Sequence, residues 1–283
     1  MPYVVPLDQA RQLFPTYQFI KPLTPSEQKA AFHVRDQAGV DLCLKIISPD
    51  YEINRLSREI QALQSINHPN VVGLREYTYT STPSQQRHYM VEEYVEGEDL
   101  TQKLIQGAAW AVKDLVSFFS QLFDGLSALE QKRVVHRDLK PNNIRVRLNG
   151  APVIIDFGLA RHLELPDLTL TADGAAIGTP KYFAPEQFIG TKHDIDRRTD
   201  LFAAGVVFYE AAVGIHPFWH PQIPFAELQE KVCKSDSHLD AKGFLGLPNQ
   251  ISMLIQRLLE KDRGRRPASA AQVSMMLNKL KGC

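Results

Sequence analysis

The sequence predicts an α+β chain in two unequal halves: a small β-rich half with one main helix up to about residue 95, and a larger, mainly helical half after it. Three observations carry this expectation. From Val40 to Ile46 the apolar residues alternate with Asp41, Cys43 and Lys45, the period of a half-buried strand. Leu115, Phe118, Phe119, Leu122, Leu126 and Leu129 recur at helical spacing. The 283 residues suit one large domain or two units sharing a cleft.

Taken in order, residues 1–16 form an N-terminal extension with neither the basic start nor the apolar core of a signal peptide. The alternating strand puts Lys45 on the face opposite Val40, Leu42, Leu44 and Ile46. Ser48-Pro49 then reads as a helix start, with Leu56, Ile60 and Leu63 at helical spacing and the acid Glu59 flanked by that stripe. Strand-like runs follow at Val71–Tyr77 and His88–Val95, separated by the polar stretch Thr78–Gln86, expected as a surface loop. After Gly97 the pattern is helical, and the junction at Tyr94–Gly97 predicts a ligand-binding cleft. The run Leu201–Val213 is too short to span a bilayer and reads as a helix deep in a core, ended by Gly214.

Composition narrows the partners. The 32 basic and 32 acidic residues cancel, which argues against a nucleic-acid or membrane partner. Cys43, Cys233 and Cys283 are too few and too scattered for a disulfide framework or a zinc site, so a reducing, cytoplasmic setting is the simplest expectation.

The chemistry concentrates between His136 and Gly158. In His136-Arg137-Asp138-Leu139-Lys140-Pro141-Asn142-Asn143, a tight proline-stiffened loop would turn Asp138, Lys140 and Asn143 toward one point. Asn149-Gly150 between two β-prone runs is a strong hairpin signal, and folding back there returns Asp156-Phe157-Gly158 to the neighbourhood of Asn143. An amide oxygen beside a carboxylate suits magnesium on a polyphosphate, and Asp138 can orient an attacking hydroxyl.

These residues resemble the catalytic-loop and Asp-Phe-Gly motifs of the eukaryotic-like protein kinases, with wording closest to bacterial members. The resemblance runs from about Tyr17 to the C-terminus. It implies the bilobal kinase fold, with a kinase domain over 17–283 divided near residues 95 and 96. It implies ATP and Mg2+ (with Mn2+ as an alternative) as cofactors, and Ser/Thr hydroxyls of proteins as acceptors, because Lys140 and Thr179 match the Ser/Thr branch. On the same basis Lys45 holds phosphates, Glu59 (with Glu52 as a rival) positions Lys45, and Asp138 and Lys140 act at the transferring group. Asn143 and Asp156 hold metal. The backbone of Glu93 and Val95 grips adenine, and Asp99 lies at the nucleotide. His136, Arg137, Phe157, Gly158, Glu186, Asp200 and Arg266 match supporting positions, with Arg266 pairing Glu186, Asp200 anchoring the catalytic loop, and Arg137 expected to meet a phosphate on the activation segment. Thr169 and Thr171 are the candidate acceptors for autophosphorylation.

Three departures from the family are visible. The glycine-rich loop is missing: its place reads Leu23-Thr24-Pro25-Ser26-Glu27-Gln28-Lys29-Ala30-Ala31, with Ser26 and Lys29 as substitute phosphate contacts. Glu92 stands immediately before the expected hinge, where an uncharged residue is usual, and Arg145 occupies a usually aliphatic place. Because a buried charge is costly unless paired, Glu92 and Arg145 are expected to neutralise one another. These departures motivate a rival reading as a pseudokinase scaffold. A third reading, a small-molecule kinase, is disfavoured by the peptide-docking ending at Ala184-Pro185-Glu186.

Overall fold

In the computed structural model the described residues are 2–26, 28–50, 60–61, 63–64, 66–82, 85–106, 110–157, 161–162, 180–189, 195–234, 244 and 246–281. The chain divides into two compact units, Met1–Asn67 with Val72–Val95, and His68–Val71 with Glu96–Cys283.

The first unit is an antiparallel sheet of β1 (Gln18–Pro22), β2 (Lys29–Arg35), β3 (Asp41–Ile47), β4 (Leu74–Thr82) and β5 (Gln85–Glu93) in the order β1-β2-β3-β5-β4. The alternation in β3 sends Leu42, Leu44 and Ile46 to one face, where they meet Phe32, Val34 and Val91. Helix α1 (Leu7–Leu13) covers that face: Val5, Ala10 and Phe14 are buried in the same core, and the Phe14 ring meets Tyr89 edge-on at 4.7 Å. Residues of the expected extension are therefore part of the first core, because Ala10 and Phe14, one turn apart, present one apolar edge to the sheet. Lys45 lies on the opposite face with Ile47 and Met90, against which Ile60 packs. Ile60 and Leu63 are buried and helical, as their spacing predicts, but residues 51–59, Glu59 included, lie outside the described residues.

Two local expectations change. Pro49 and Asp50 form a turn rather than the first helical residues, with Ser48 Oγ accepting the Asp50 N–H at 3.3 Å. Thr78–Gln86 is mostly strand: the ladder continues through Thr80↔Arg87 to Thr82↔Gln85. The β-branched and aromatic residues of this stretch suit a ladder, whatever the polarity of their neighbours.

The second unit has strands β6 (Gly97–Asp99), β7 (Val134–Val135), β8 (Ile144–Arg147), β9 (Pro152–Ile154) and β10 (Arg161–His162), which form a three-stranded sheet β6-β8-β9 and a pair β7–β10. Its described helices are α2 (Leu100–Ile105), α3 (Val112–Gln131), α4 (Pro185–Ile189), α5 (Arg197–Val213), α6 (Phe225–Cys233), α7 (Asn249–Leu258) and α8 (Ala270–Leu280). The predicted stripe of α3 is buried, and Phe119 stacks on Phe208 of α5 at 4.1 Å. Helix α5 starts at the Asp196 cap, which accepts the Arg198 N–H, and ends at Gly214 with φ +84°, a left-handed stop that glycine adopts without a Cβ penalty. No helix among the described residues is long and apolar enough to cross a membrane.

Candidate active site

The loop after β7 is held from below by Asp200, on the first turn of α5. Its two carboxylate oxygens accept the backbone N–H groups of His136 (2.7 Å) and Arg137 (2.9 Å). Arg137 has φ +69°, in the left-handed region that costs a non-glycine residue roughly 1–2 kcal/mol. Two charge-assisted bonds at that turn offset the cost. Burial pushes the Asp200 carboxyl above its ordinary range, opposed by His136 and by those two amides. The His136 ring is fully buried, meets the Ile155 carbonyl through Nε2 at 3.1 Å and lies 4.9 Å from the buried Phe157 ring. Both residues support the loop.

On this base the three polar residues converge as the sequence predicts. Lys140 Nζ is 2.7 Å from Asp138 Oδ2, and Asn143 Nδ2 donates to the Asp138 carbonyl (2.8 Å) and to Oδ2 (3.2 Å). The hairpin then returns the chain. Arg147 and Ala151 close a loop over Leu148–Gly150, with Gly150 at φ +83°, and Ile155 donates its N–H to the Asn143 carbonyl at 2.9 Å. That bond sets Asp156 beside Asn143, with Asp156 itself at φ +61°. With Nδ2 of Asn143 engaged by Asp138, its side-chain oxygen is left for a cation. The donor set at Asn143 and Asp156 therefore fits magnesium, a hard ion that takes few protein oxygens and keeps water and phosphate ligands. Among the described residues no group of three His, Cys, Asp or Glu side chains forms a rival metal site.

A second network braces the site. Gln187 donates to the Arg137 carbonyl at 2.9 Å and accepts the Ala184 N–H at 3.0 Å, tying the Ala184-Pro185-Glu186 segment to the loop. Glu186 meets Arg266 through both oxygens at 2.7 and 2.9 Å and accepts the Thr199 hydroxyl at 2.8 Å. The buried Arg266 also donates to the carbonyls of Glu260, Lys261 and Arg198, which satisfies all five of its N–H groups. Gln187 was not singled out as a site residue in the sequence; its signal was its place directly after Glu186.

The expected Glu92–Arg145 neutralisation is replaced by two separate pairs. Glu92 meets Lys45 within the first unit, Nζ to Oε2 at 2.8 Å. In the second unit Arg145 faces Asp99 across the β6–β8 ladder, pairs with it at 2.9 Å, and donates to the Gly97 carbonyl. Cross-strand neighbours meet before distant ones, so each charge is matched locally. Asp99, expected at the nucleotide, thus has its carboxylate engaged by Arg145. Ser26 is likewise occupied: its Oγ accepts the N–H groups of Gln28 (3.3 Å) and Lys29 (3.1 Å), and its carbonyl accepts the Tyr3 N–H at 2.8 Å. Lys29 is buried in β2 opposite Ile47. In the segment that stands in place of the glycine-rich loop, Ser26 thus holds backbone N–H groups of its own neighbours, and β2 begins at Lys29. At the expected hinge, Glu93 donates its N–H to the Gly73 carbonyl at 2.9 Å, and Val95 is buried. Gly158, Thr169 and Thr171, like Glu59, lie outside the described residues.

A β-sheet unit in which the buried Lys45 is paired, followed by a helical unit with an Asp–Lys–Asn loop and a returning Asp, defines a class of α+β phosphotransferase folds. The protein kinase domain model matches residues 31–277, and the chain belongs to that family. Its relatives include serine/threonine-protein kinase pkn2 of Myxococcus xanthus, 34% identical over 247 residues that cover 83% of this chain and 29% of that protein. Serine/threonine-protein kinase pkn3 of the same organism is 32% identical over 237 residues, 80% of this chain and 41% of the relative. The probable serine/threonine-protein kinase PknB of Bifidobacterium longum is 28% identical over 235 residues, 80% and 33% respectively. The chain spans about a third of the length of these curated relatives.

Proposed function

We propose that this chain is a serine/threonine protein kinase that transfers the γ-phosphoryl group of Mg-ATP to protein hydroxyls. The observation that carries the reading is the convergence of Lys140 and Asn143 on the Asp138 carboxylate at 2.7 and 3.2 Å. In such a site Asp138 orients the acceptor hydroxyl and takes its proton, while Lys140 offsets the charge that builds on the transferring group. Asn143 and Asp156 are the residues that would hold magnesium, which would supply positive charge against the phosphates there. Lys45 meets the phosphates, Glu59 supports Lys45, and backbone groups of Glu93 and Val95 meet the base. Arg137 and the acceptors Thr169 and Thr171 fit autophosphorylation of the activation segment. Cys43 and Cys233 are in no disulfide, consistent with a cytoplasmic setting.

Incubating the purified chain with labelled ATP, magnesium and a generic protein substrate tests this. Transfer that Asp138→Asn abolishes is the expected result. Absence of transfer would return the scaffold reading, and transfer undiminished in the variant would overturn the role given to Asp138.

A further inference from the structure

Lys45 and Glu92 occupy adjacent strands. Lys45 stands opposite Met90 in the β3–β5 ladder, so Glu92, two residues on, is its diagonal neighbour on the same face. The Glu92 side chain is 2% exposed and that of Lys45 is 11% exposed. Glu92 Oε2 meets the ammonium, while Oε1 is buried with no hydrogen-bond partner among the described residues. A buried ion pair is expensive for the fold, and replacing both partners together with packed apolar residues would cost less. Stability alone therefore gives no reason for the pair, and the acid is explained by the lysine it faces.

We propose that Glu92 is a positioning residue that holds the Lys45 ammonium ready for nucleotide phosphates. The assignment rests on the kinase reading of Lys45. A lysine head rides on a flexible four-carbon stem, and a neighbouring acid removes part of that freedom before the ligand arrives. The contact with Glu92 is an ion pair at 2.8 Å, and an ammonium, with three donors, can meet phosphate oxygens without leaving that acid. Strand β5 lies between β3 and β4 in the ladder. An anchor on it cannot shift without breaking sheet hydrogen bonds, so the hold on Lys45 belongs to the sheet and does not depend on where a helix stands.

Calorimetric titration of the parent chain, Glu92→Gln and Glu92→Asp with Mg-ATP, with ADP and with adenosine tests the assignment. Glutamine keeps the shape and an acceptor oxygen but loses the charge; aspartate keeps the charge but draws it back, and serves where the glutamine variant does not fold. Both variants should weaken ATP and ADP about tenfold, a change of about 1.4 kcal/mol, and leave adenosine within about twofold. Acetylation of Lys45 by a water-soluble succinimidyl ester, read by mass spectrometry without nucleotide, should rise several-fold in the glutamine variant. Phosphate-bearing ligands that bind as before or tighter, equal weakening of adenosine, or unchanged acetylation would overturn it. A parent chain that gains no affinity from the phosphates would defeat the kinase reading of Lys45 itself, whereas a null effect confined to the variants defeats only the role of Glu92.

Discussion

Arg266→Met removes a buried cation with all five donors satisfied, and its cost can be worked from the contacts. The guanidinium has a fully buried side chain, makes two bonds to Glu186 and three to the carbonyls of Arg198, Glu260 and Lys261, and lies 4.9 Å over the Phe202 ring. Methionine fills much of the volume but leaves the Glu186 carboxylate, 7% exposed, with the Thr199 hydroxyl as its remaining side-chain donor. Breaking a buried pair on one side costs about 3–5 kcal/mol. Three stranded carbonyls add about 1 kcal/mol between them after relaxation toward water. The expected loss is therefore about 4–6 kcal/mol, a large part of the roughly 5–15 kcal/mol that holds a domain together. Arg266→Lys keeps the charge but offers three donors instead of five, and should lose about 2–4 kcal/mol. Urea unfolding followed by tryptophan fluorescence is the assay, because Trp110 and Trp219 are the chain's two tryptophans and both belong to the second unit. A lysine variant within about 1 kcal/mol of the parent would refute the reasoning, since the fork geometry would then contribute nothing.

Other expectations follow from single contacts. Gly97 has φ +138°, and a Cβ there would lie 1.9 Å from the Val146 carbonyl oxygen, so Gly97→Ala should displace β6 from β8 and lower the melting temperature by several degrees. An unchanged melt would contradict that contact. His216 is pushed down to about 3 by burial and by Lys181, and its Nδ1 accepts the N–H groups of Phe218 and Trp219. Its folded value lies below the ordinary one, so the stability it contributes is present above pH 6.5 and is lost as pH falls from 6.5 toward 3, by up to about 1.4 kcal/mol per pH unit. Glu130, pushed up to about 7 by burial, acts in the opposite sense in the same window. The measurement is therefore the difference between parent and His216→Asn, whose gap should narrow as pH falls from 7 to 5; a constant gap refutes it. Asp200→Asn turns one acceptor into a donor facing a backbone N–H, and should cost about 1–3 kcal/mol while lowering phosphoryl transfer. Full activity in that variant would remove Asp200 from the support of the loop.

Much of the second unit was legible because its signals are local. Asn149-Gly150 announces the hairpin that returns Asp156, and the run ending at Gly214 announces the buried helix. What the sequence hid depends on register between distant segments. Lys45 and Glu92 are 47 positions apart, and only the pairing of Lys45 with Met90 makes them diagonal neighbours. Without that register, two unusual charges near a binding site invite the wrong match, as Glu92 and Arg145 did. Residues 1–16 misled for another reason. Val5, Ala10 and Phe14 are too sparse to stand out as a stripe, yet the sheet face they cover is supplied by residues far along the chain. Along Thr78–Thr82 and Gln85–Gln86 polar composition points to a loop and strand propensity to a ladder, and the backbone follows propensity.

The segment His68–Val71 belongs to the second unit although the residues on both sides of it belong to the first. It is bound there: Asn70 donates its side-chain amide to the Pro152 carbonyl at 2.7 Å and accepts the Ile154 N–H on its own carbonyl at 2.9 Å. The polypeptide thus crosses between units three times, at 67/68, 71/72 and 95/96. A protease nick between Val95 and Glu96 cannot separate two self-sufficient fragments, because the piece ending at residue 95 carries away the partner of Ile154. Dissecting this chain into independently expressed halves therefore requires grafting four residues across the cut, a splice rather than a truncation.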